Sequence, residues 1–235
     1  MPPNYVMGEA SLKDKSLVLE TVLIMDFRPS SMTIIGNDDF LVLNRNEGKV
    51  FRYTGGNLFS EILDVNVATR SNRGMLGICS MKIKDVQYVF LYFTEGKNGD
   101  GEDERIQDFN PLGNRLYRYE LVNNELVHPK LILNLPAVPG PRHAGGAIDS
   151  GPDGNIYLTI GDSDGTFRDS KYQTMAQNYL NGSDPDGRAG LLWVKPDGGY
   201  VDESILGDVY PLNLYYAYGI RNSFGFDWDP ITGKL

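Results

Sequence analysis

Cysteine, histidine, basic charge and long apolar runs are all scarce in this chain of 235 residues. The single cysteine, Cys79, excludes an internal disulfide and a cysteine zinc cluster, and its apolar surroundings predict a buried structural thiol. The two histidines, His128 and His143, are too few for an HExxH or three-histidine metal site. His128, in the segment LVHP, is predicted to lie in a variable turn on the solvated surface.

Basic residues are outnumbered by acidic ones, 22 to 31, which gives a formal net charge of −9. Binding to a phosphate backbone needs a basic face, so a nucleic-acid partner is disfavoured. No stretch approaches the roughly 18–20 apolar residues of a membrane span. The N-terminus lacks the basic and apolar regions of a signal peptide. Either the chain is cytoplasmic or its targeting segment lies outside this sequence.

Short apolar runs rich in β-branched and aromatic residues are abundant, and Gly, Asn, Asp or Pro bounds each of them, which predicts strands that end in tight turns. Three of these runs occupy residues 40–43, 88–93 and 156–160. In each case a second run opens after a glycine, at Gly48, Gly113 and Gly190. A helix is plausible only near residues 171–180.

These paired runs form a repeated unit, and a fourth unit opens at residues 224–228. The unequal intervals between the three glycines fit a constant strand core with loops of variable length. Repeated all-β units predict a β-propeller, with a β-sandwich as the alternative on pattern alone. Because a propeller closes a ring, three to four units predict the N-terminal part of a longer protein. Otherwise, distant segments of the same chain complete the last sheet.

Two polar clusters are candidates for chemistry. His143 lies in a glycine-rich turn, PGPRHAGG, and an imidazole, whose ordinary pKa is near neutrality, suits a general base, although a lone histidine is also a common structural group. Asp162 lies in GDSDG directly after a strand and could orient a histidine. The same letters match a serine-hydrolase elbow, but that triad runs Ser, acid, His, and both histidines here precede Ser163.

Two further clusters have both a functional and a structural interpretation. The pair Arg221-Asn222, in a glycine-flanked apolar segment, indicates recognition of an anion or carbonyl, and an internal salt bridge is the structural alternative. The acidic stretches at 98–108 and 184–187 could hold calcium. They lack EF-hand spacing, and solvated loops are the preferred interpretation.

Taken in order, these motifs resemble the glucose/sorbosone dehydrogenase family, soluble quinoproteins that bind pyrroloquinoline quinone (PQQ) on a six-bladed β-propeller. The segments that carry the resemblance are 73–78 (RGMLGI), 143–146 (HAGG), 151–157 (GPDGNIY), 161–162 (GD), 176–178 (AQN), 190–192 (GLL), 196–198 (PDG) and 218–225 (YGIRNSFG). The resemblance spans roughly residues 18–235, so residues 1–17 are interpreted as an N-terminal extension.

The resemblance implies an oxidoreductase that oxidises an aldose at its anomeric carbon to the lactone and passes hydride to PQQ. His143 would be the base, and Asp162 would hold its tautomer. Arg221 would stabilise charge on the quinone oxygens, Asn222 would bind the cofactor, and Arg73 would line the sugar site. Calcium would be a second cofactor, with unknown ligands. The resemblance also implies an external electron acceptor and an extracellular or periplasmic location.

The sequence departs from the family pattern at three positions, where Ala144, Ser223 and Ala189 replace the usual Asn, Pro and Lys. The family segment that supplies calcium ligands would lie beyond Leu235. The alternative function is therefore a non-catalytic β-propeller, or a fragment of one, that binds carbohydrate or a protein partner.

Overall fold

A computed structural model describes residues 11–55, 58–164 and 172–235. These residues form three consecutive four-stranded antiparallel sheets, and in each sheet the strands pair in chain order. The first sheet contains β1 (Pro29–Gly36), β2 (Asp39–Asn44), β3 (Lys49–Thr54) and β4 (Leu58–Asp64). The second contains β5 (Met75–Ile83), β6 (Val86–Glu95), β7 (Gly113–Val122) and β8 (Glu125–Leu135). The third contains β9 (Ile148–Ser150), β10 (Ile156–Ile160), β11 (Gly190–Val194) and β12 (Tyr215–Tyr218).

Helix is nearly absent from the described residues. The α-helix there is the single turn α1 (Glu102–Arg105), and two 3₁₀ turns cover Met175–Gln177 and Leu212–Leu214. In the described part of 171–180, the helix considered there is reduced to 3₁₀ conformation at Tyr172 and at Met175–Gln177, and residue 171 lies outside the described residues. The all-β prediction is confirmed, with three sheets where the sequence predicted three to four repeats.

The core lies between successive sheets, and β6 shows why its apolar run is continuous. Val89, Leu91 and Phe93 pack towards the first sheet, whereas Phe90 and Tyr92 pack towards the third. A strand covered on both faces has no solvent side and therefore no polar alternation. The first strands of the sheets, β1, β5 and β9, contact one another in succession. Successive sheets stacked through such cores are the blades of a β-propeller.

Cys79 lies in the core between the second and third sheets, as predicted. Burial raises the pKa of its thiol well above the ordinary value. A neutral, inaccessible thiol is a packing group and a poor nucleophile.

The fourth predicted unit does not form a strand. Residues 224–228 make no backbone-to-backbone hydrogen bond within the described chain, and a strand needs a partner for its N–H and C=O groups. The rings of Phe226 and Trp228 instead pack on the third sheet, where the Trp228 ring lies 4.7 Å from that of Tyr157 in an edge-to-face arrangement, whereas Phe224 is exposed. The aromatic pattern therefore marked partly buried surface at two of its three rings, which a strand and a loop can both provide.

Among the described residues, no helix is long and apolar enough to cross a membrane.

Candidate functional site

His143 and Asp162 meet at one end of the third sheet. His143 precedes β9 and Asp162 follows β10, and because these strands are antiparallel neighbours, both segments lie at the same end. Nδ1 of His143 lies 2.5 Å from Oδ1 of Asp162. The two residues are only 6% and 1% exposed, respectively. The predicted hydrogen-bond contact between them is therefore present.

The backbone of His143 is held in an uncommon conformation. Its φ is 57°, in the left-handed region, and its N–H donates to Oδ1 of Asn72 at 2.9 Å. Gly161 lies directly against it, since a Cβ on Gly161 would be 2.4 Å from the carbonyl oxygens of both His143 and Arg221. Glycine at 161 thus allows these two backbones to close on the segment that carries Asp162.

Asp162 is fixed from several sides. Its N–H donates to the carbonyl of Arg221 at 3.0 Å, and its own carbonyl accepts from Nη1 of Arg188 at 3.3 Å. Its Oδ1 also accepts from the N–H of Asp164 at 3.1 Å. Arg188 is buried and ion-pairs with Asp186 at 2.7 Å. Asp186, considered above as part of an acidic loop, therefore anchors the arginine that holds the Asp162 backbone.

This arrangement sets the chemistry of the imidazole. A neutral histidine that donates its Nδ1 proton to a carboxylate carries its lone pair on Nε2. Nε2 is then the atom that can take a proton, and the carboxylate stabilises the imidazolium that results. A buried base oriented by a buried acid is the geometry of general-base catalysis.

Arg221 and Asn222 lie beside the same pair. Arg221 is exposed and, together with Asp162, lines a cavity of about 180 Å³. The Asn222 side-chain oxygen is buried and has no hydrogen-bond partner among the residues that the structure describes. A buried amide oxygen without a partner is costly, which is expected where a ligand supplies the missing donor.

Arg73 is buried and pairs with Asp103 across the end of the second sheet. Its Nη1 lies 2.8 Å from Oδ2 of Asp103, and its Nη2 donates to the carbonyl of Ala137 at 2.5 Å. Asp103 also accepts the N–H of Thr69 at 2.9 Å. Burial lowers the pKa of Arg73, and the bond to Asp103 opposes that effect.

The preferred interpretation of the acidic stretch 98–108 as a solvated loop is therefore wrong for Asp103, which is only 1% exposed, and also for Glu102, which is buried. Glu102 accepts the backbone N–H groups of Lys97 and Asn98 at 3.0 and 2.9 Å. A carboxylate can be buried when hydrogen bonds and a counter-charge replace its lost hydration. Local composition does not reveal such partners.

Arg73 also lines a larger cavity of about 730 Å³ at this end of the molecule. Arg70 lines it from the same loop, and the remaining lining residues come from three further loops and include Phe109, Pro141 and Arg142. Arg142 precedes His143 directly in the chain. The cavity is thus built from the loops that carry the candidate site.

No group of three or more His, Cys, Asp or Glu side chains in the described ranges is placed to hold a metal ion. His128 is exposed, as predicted, with Nδ1 3.0 Å from Oε2 of Glu120, but it lies in β8 and not in a turn. Asn72 and Arg188 position the candidate pair and were missed by sequence reasoning. The available signal was a polar residue within three positions of the first residue of β5 and of β11.

Solved structures with this fold include two dehydrogenases. One is an oxidoreductase described as a glucose dehydrogenase from Thermus thermophilus, which is 23% identical. The match covers 88% of this chain and 56% of that protein, with a TM-score of 0.68. The other is the PQQ-bound form of an aldose sugar dehydrogenase from Streptomyces coelicolor, which is 24% identical. The match covers 92% of this chain and 57% of that protein, with a TM-score of 0.68. This chain spans a little over half the length of each. No curated protein matches the sequence.

The family model for glucose/sorbosone dehydrogenases matches residues 27–235. That range contains all three sheets and every candidate site residue described above. The chain belongs to the glucose/sorbosone dehydrogenase family.

Proposed function

We infer that this chain takes part in the PQQ-dependent oxidation of an aldose at its anomeric carbon, which yields the lactone. The observation that carries the inference is the buried contact between His143 and Asp162, 2.5 Å long, beside Arg221. Membership of an oxidoreductase family and the likeness to a PQQ-bound aldose sugar dehydrogenase support it.

The residues next to this pair fit the cofactor. PQQ is a planar quinone with carboxylate groups, and such a ligand needs cationic and hydrogen-bonding partners. Arg221, at the edge of the smaller cavity, supplies a guanidinium, and the buried Asn222 amide still needs a partner. These two residues would hold the cofactor. When bound, PQQ supplies the quinone that accepts hydride from the sugar.

The chain's own residues handle the proton. His143 takes the proton of the anomeric hydroxyl at Nε2 as the carbon–hydrogen bond is lost as hydride. Asp162 holds the imidazole in the required tautomer and stabilises the imidazolium. The burial of both side chains keeps water from competing for that proton, and it strengthens the electrostatic contact between them.

The described residues do not fit calcium, the second cofactor that the resemblance implies. The described part of the chain contains no cluster of acidic or other ligating side chains arranged to hold a metal. No step is therefore assigned to calcium.

The test is a dye-reduction assay of the protein at its full natural length, with and without PQQ and Ca²⁺, across a panel of aldoses. We expect reduction that requires both PQQ and an aldose. Replacing Arg221 by Gln should weaken both PQQ binding and turnover, because the residue is proposed to contact the cofactor. No PQQ-dependent reduction with any sugar would contradict the proposal and favour a non-catalytic propeller that binds carbohydrate or protein.

A further inference from the structure

The larger cavity contains a charge pattern that the proposed reaction does not use. Three arginines line the same space of about 730 Å³: Arg70 and Arg73 come from one loop before β5, and Arg142 comes from a distant loop before β9. The chain as a whole carries a net charge of −9. A convergence of guanidinium groups in an acidic protein is a feature that needs a physical explanation.

The three arginines differ in their partners. Arg73 is buried and committed to Asp103 and to the carbonyl of Ala137. The guanidinium groups of Arg70 and Arg142 are exposed, and in the described ranges neither has a hydrogen bond or an ion pair. Two exposed guanidinium groups at one cavity are available to an anion that fits between them.

The backbones of both free arginines are fixed, although their side chains have no partner. The N–H of Arg70 donates to the Asp103 carboxylate at 3.3 Å, and the N–H of Arg142 donates to Oδ2 of Asp164 at 3.4 Å. The guanidinium groups therefore extend from anchored loops. Anchoring lowers the entropy of loop ordering that binding would otherwise cost.

The cavity also adjoins the candidate base. Arg142 precedes His143, the N–H of Asn72 donates to the carbonyl of Pro141 at 3.1 Å, and Asn72 in turn accepts the N–H of His143 at 2.9 Å. Phe109 adds an aromatic ring to the lining, and Nζ of Lys97 lies over one face of that ring, 5.1 Å from its centroid. A saccharide ring can pack on an aromatic face, and its polar groups can then reach the arginines.

We propose that this cavity binds an anionic saccharide, an aldose whose far end carries a carboxylate or a phosphate group held by Arg70 and Arg142. Guanidinium groups match both anions in fork geometry. The inference rests on the proposed function, since the anomeric end of the sugar would then face His143. Two carboxylates, Asp108 and Asp164, also line the cavity and oppose the anion. We therefore expect discrimination to depend on both free arginines.

The first experiment measures binding alone, by calorimetric titration of the 235-residue chain without cofactor. D-glucuronate and D-glucose 6-phosphate are the anionic probes, and D-glucose is the neutral one. We expect both anions to bind more tightly than glucose. Replacing Arg70 or Arg142 by Gln should weaken anion binding by about tenfold each, the usual range for a hydrogen bond to a charged group, and should leave glucose unchanged.

The control variant is Lys82→Gln, which removes an equal charge from an exposed site in β5, outside the cavity. It should leave all three affinities unchanged. Equal losses in the Lys82 and arginine variants would indicate a general charge effect and would overturn the proposal. Preference for only one of the two anions would identify whether carboxylate or phosphate is recognised, and both results support the site.

A second measurement separates this proposal from the proposed function. PQQ is itself anionic, so its affinity is titrated against the Arg70 and Arg142 variants. Weaker PQQ binding with unchanged sugar binding would assign the arginines to the cofactor and overturn the saccharide proposal. Oxidation of glucose but not of glucuronate would overturn it while leaving the dehydrogenase function intact. Glucuronate binding without any PQQ-dependent oxidation would contradict the proposed dehydrogenase function and leave the anionic-saccharide site intact.

Discussion

The second and third sheets carry comparable pairs of side chains at corresponding places. In the second sheet, Arg73 precedes the first strand and Asp103 follows the second strand, with their charged atoms 2.8 Å apart. In the third sheet, His143 precedes the first strand and Asp162 follows the second, at 2.5 Å. Both pairs are buried. Antiparallel pairing of the first two strands brings these segments to the same end of each sheet.

The difference between the pairs lies in proton chemistry. A guanidinium keeps its charge at every accessible pH, so the Arg73–Asp103 pair can hold loops together but cannot exchange a proton. An imidazole changes charge near neutrality, so the His143–Asp162 pair can accept one. The second and third sheets therefore hold a buried pair at the same position. Whether that pair supports structure or proton transfer depends on whether its basic residue is an arginine or a histidine.

The largest expected effect follows from removing the proton acceptor. Asn at position 143 tolerates the left-handed backbone and can still donate to Asp162, but it cannot act as a base. We expect His143→Asn to lower PQQ-dependent turnover by about 10²–10⁴-fold, the usual range for a general base. Steady-state dye reduction on the protein at its full natural length measures this.

The matched control is His128→Asn. His128 also has a left-handed backbone, with φ 53°, and contacts a carboxylate through Nδ1, but its side chain is 71% exposed on the surface. Its replacement should leave turnover unchanged. Similar losses in the two variants would mean that His143 acts through folding alone.

Breaking the Arg73–Asp103 pair should lower the stability of the fold, because this pair holds loops together and takes no part in proton transfer. Asp103→Ala leaves the buried Arg73 guanidinium without its counter-charge and should cost about 3–5 kcal/mol in the free energy of unfolding. Urea denaturation of the chain measures this. The exposed pair of Lys195 with Asp202, at 3.8 Å, provides the control. There, Asp202→Ala should cost only about 0–1 kcal/mol. Equal costs for the two variants would contradict a structural role for Asp103.

Much of the fold could be predicted because strands are encoded locally. The apolar runs at 40–43, 88–93 and 156–160 lie within β2, β6 and β10. The first strands of the sheets were harder to identify. For example, β9 has only three residues and lacks a continuous apolar run, and its pairing with β10 defines it.

The site could be predicted only where a motif carried it. The contact of His143 with Asp162 followed from a glycine-rich turn and a strand end. The contact of Arg73 with Asp103 did not, because it spans 30 positions and a long acidic loop that resembles solvated sequence. Long-range ion pairs depend on how loops return, which local composition does not specify. The roles of Arg221 and Asn222 stay predictions.

A smaller effect is expected from the glycine behind the His143–Asp162 pair. A Cβ at Gly161 would lie 2.4 Å from two carbonyl oxygens, both on the backbone. Gly161→Ala should therefore destabilise the chain by about 1–3 kcal/mol through overpacking and should displace His143. Gly99→Ala is the control, because a Cβ there meets nothing within 4 Å. Thermal unfolding compares the two, and equal stabilities would contradict the close approach.

The smallest effect concerns Asp149, a carboxylate in β9 with no ion-pair partner in the described chain. Burial, reinforced by Asp227, raises its pKa above the ordinary value. A raised folded-state pKa stabilises the fold at low pH, and that contribution is lost as pH rises through the folded pKa. Asp149→Asn should therefore raise the melting temperature at neutral pH, with the difference closing as the pH is lowered towards the ordinary pKa of a carboxyl group. A difference that does not depend on pH would contradict this account.

The protonation state of His143 tests the comparison between the two pairs most directly. The chain has only two histidines, so ¹⁵N-labelled histidine yields two assignable imidazoles in long-range NMR correlation spectra, and His128→Asn identifies which is which. At a pH of about 8, above the ordinary imidazole pKa, we predict that His143 carries its proton on Nδ1, with Nε2 unprotonated, and that Asp162→Asn removes this preference. A proton on Nε2 of His143 at that pH would contradict the assignment of this pair to proton transfer.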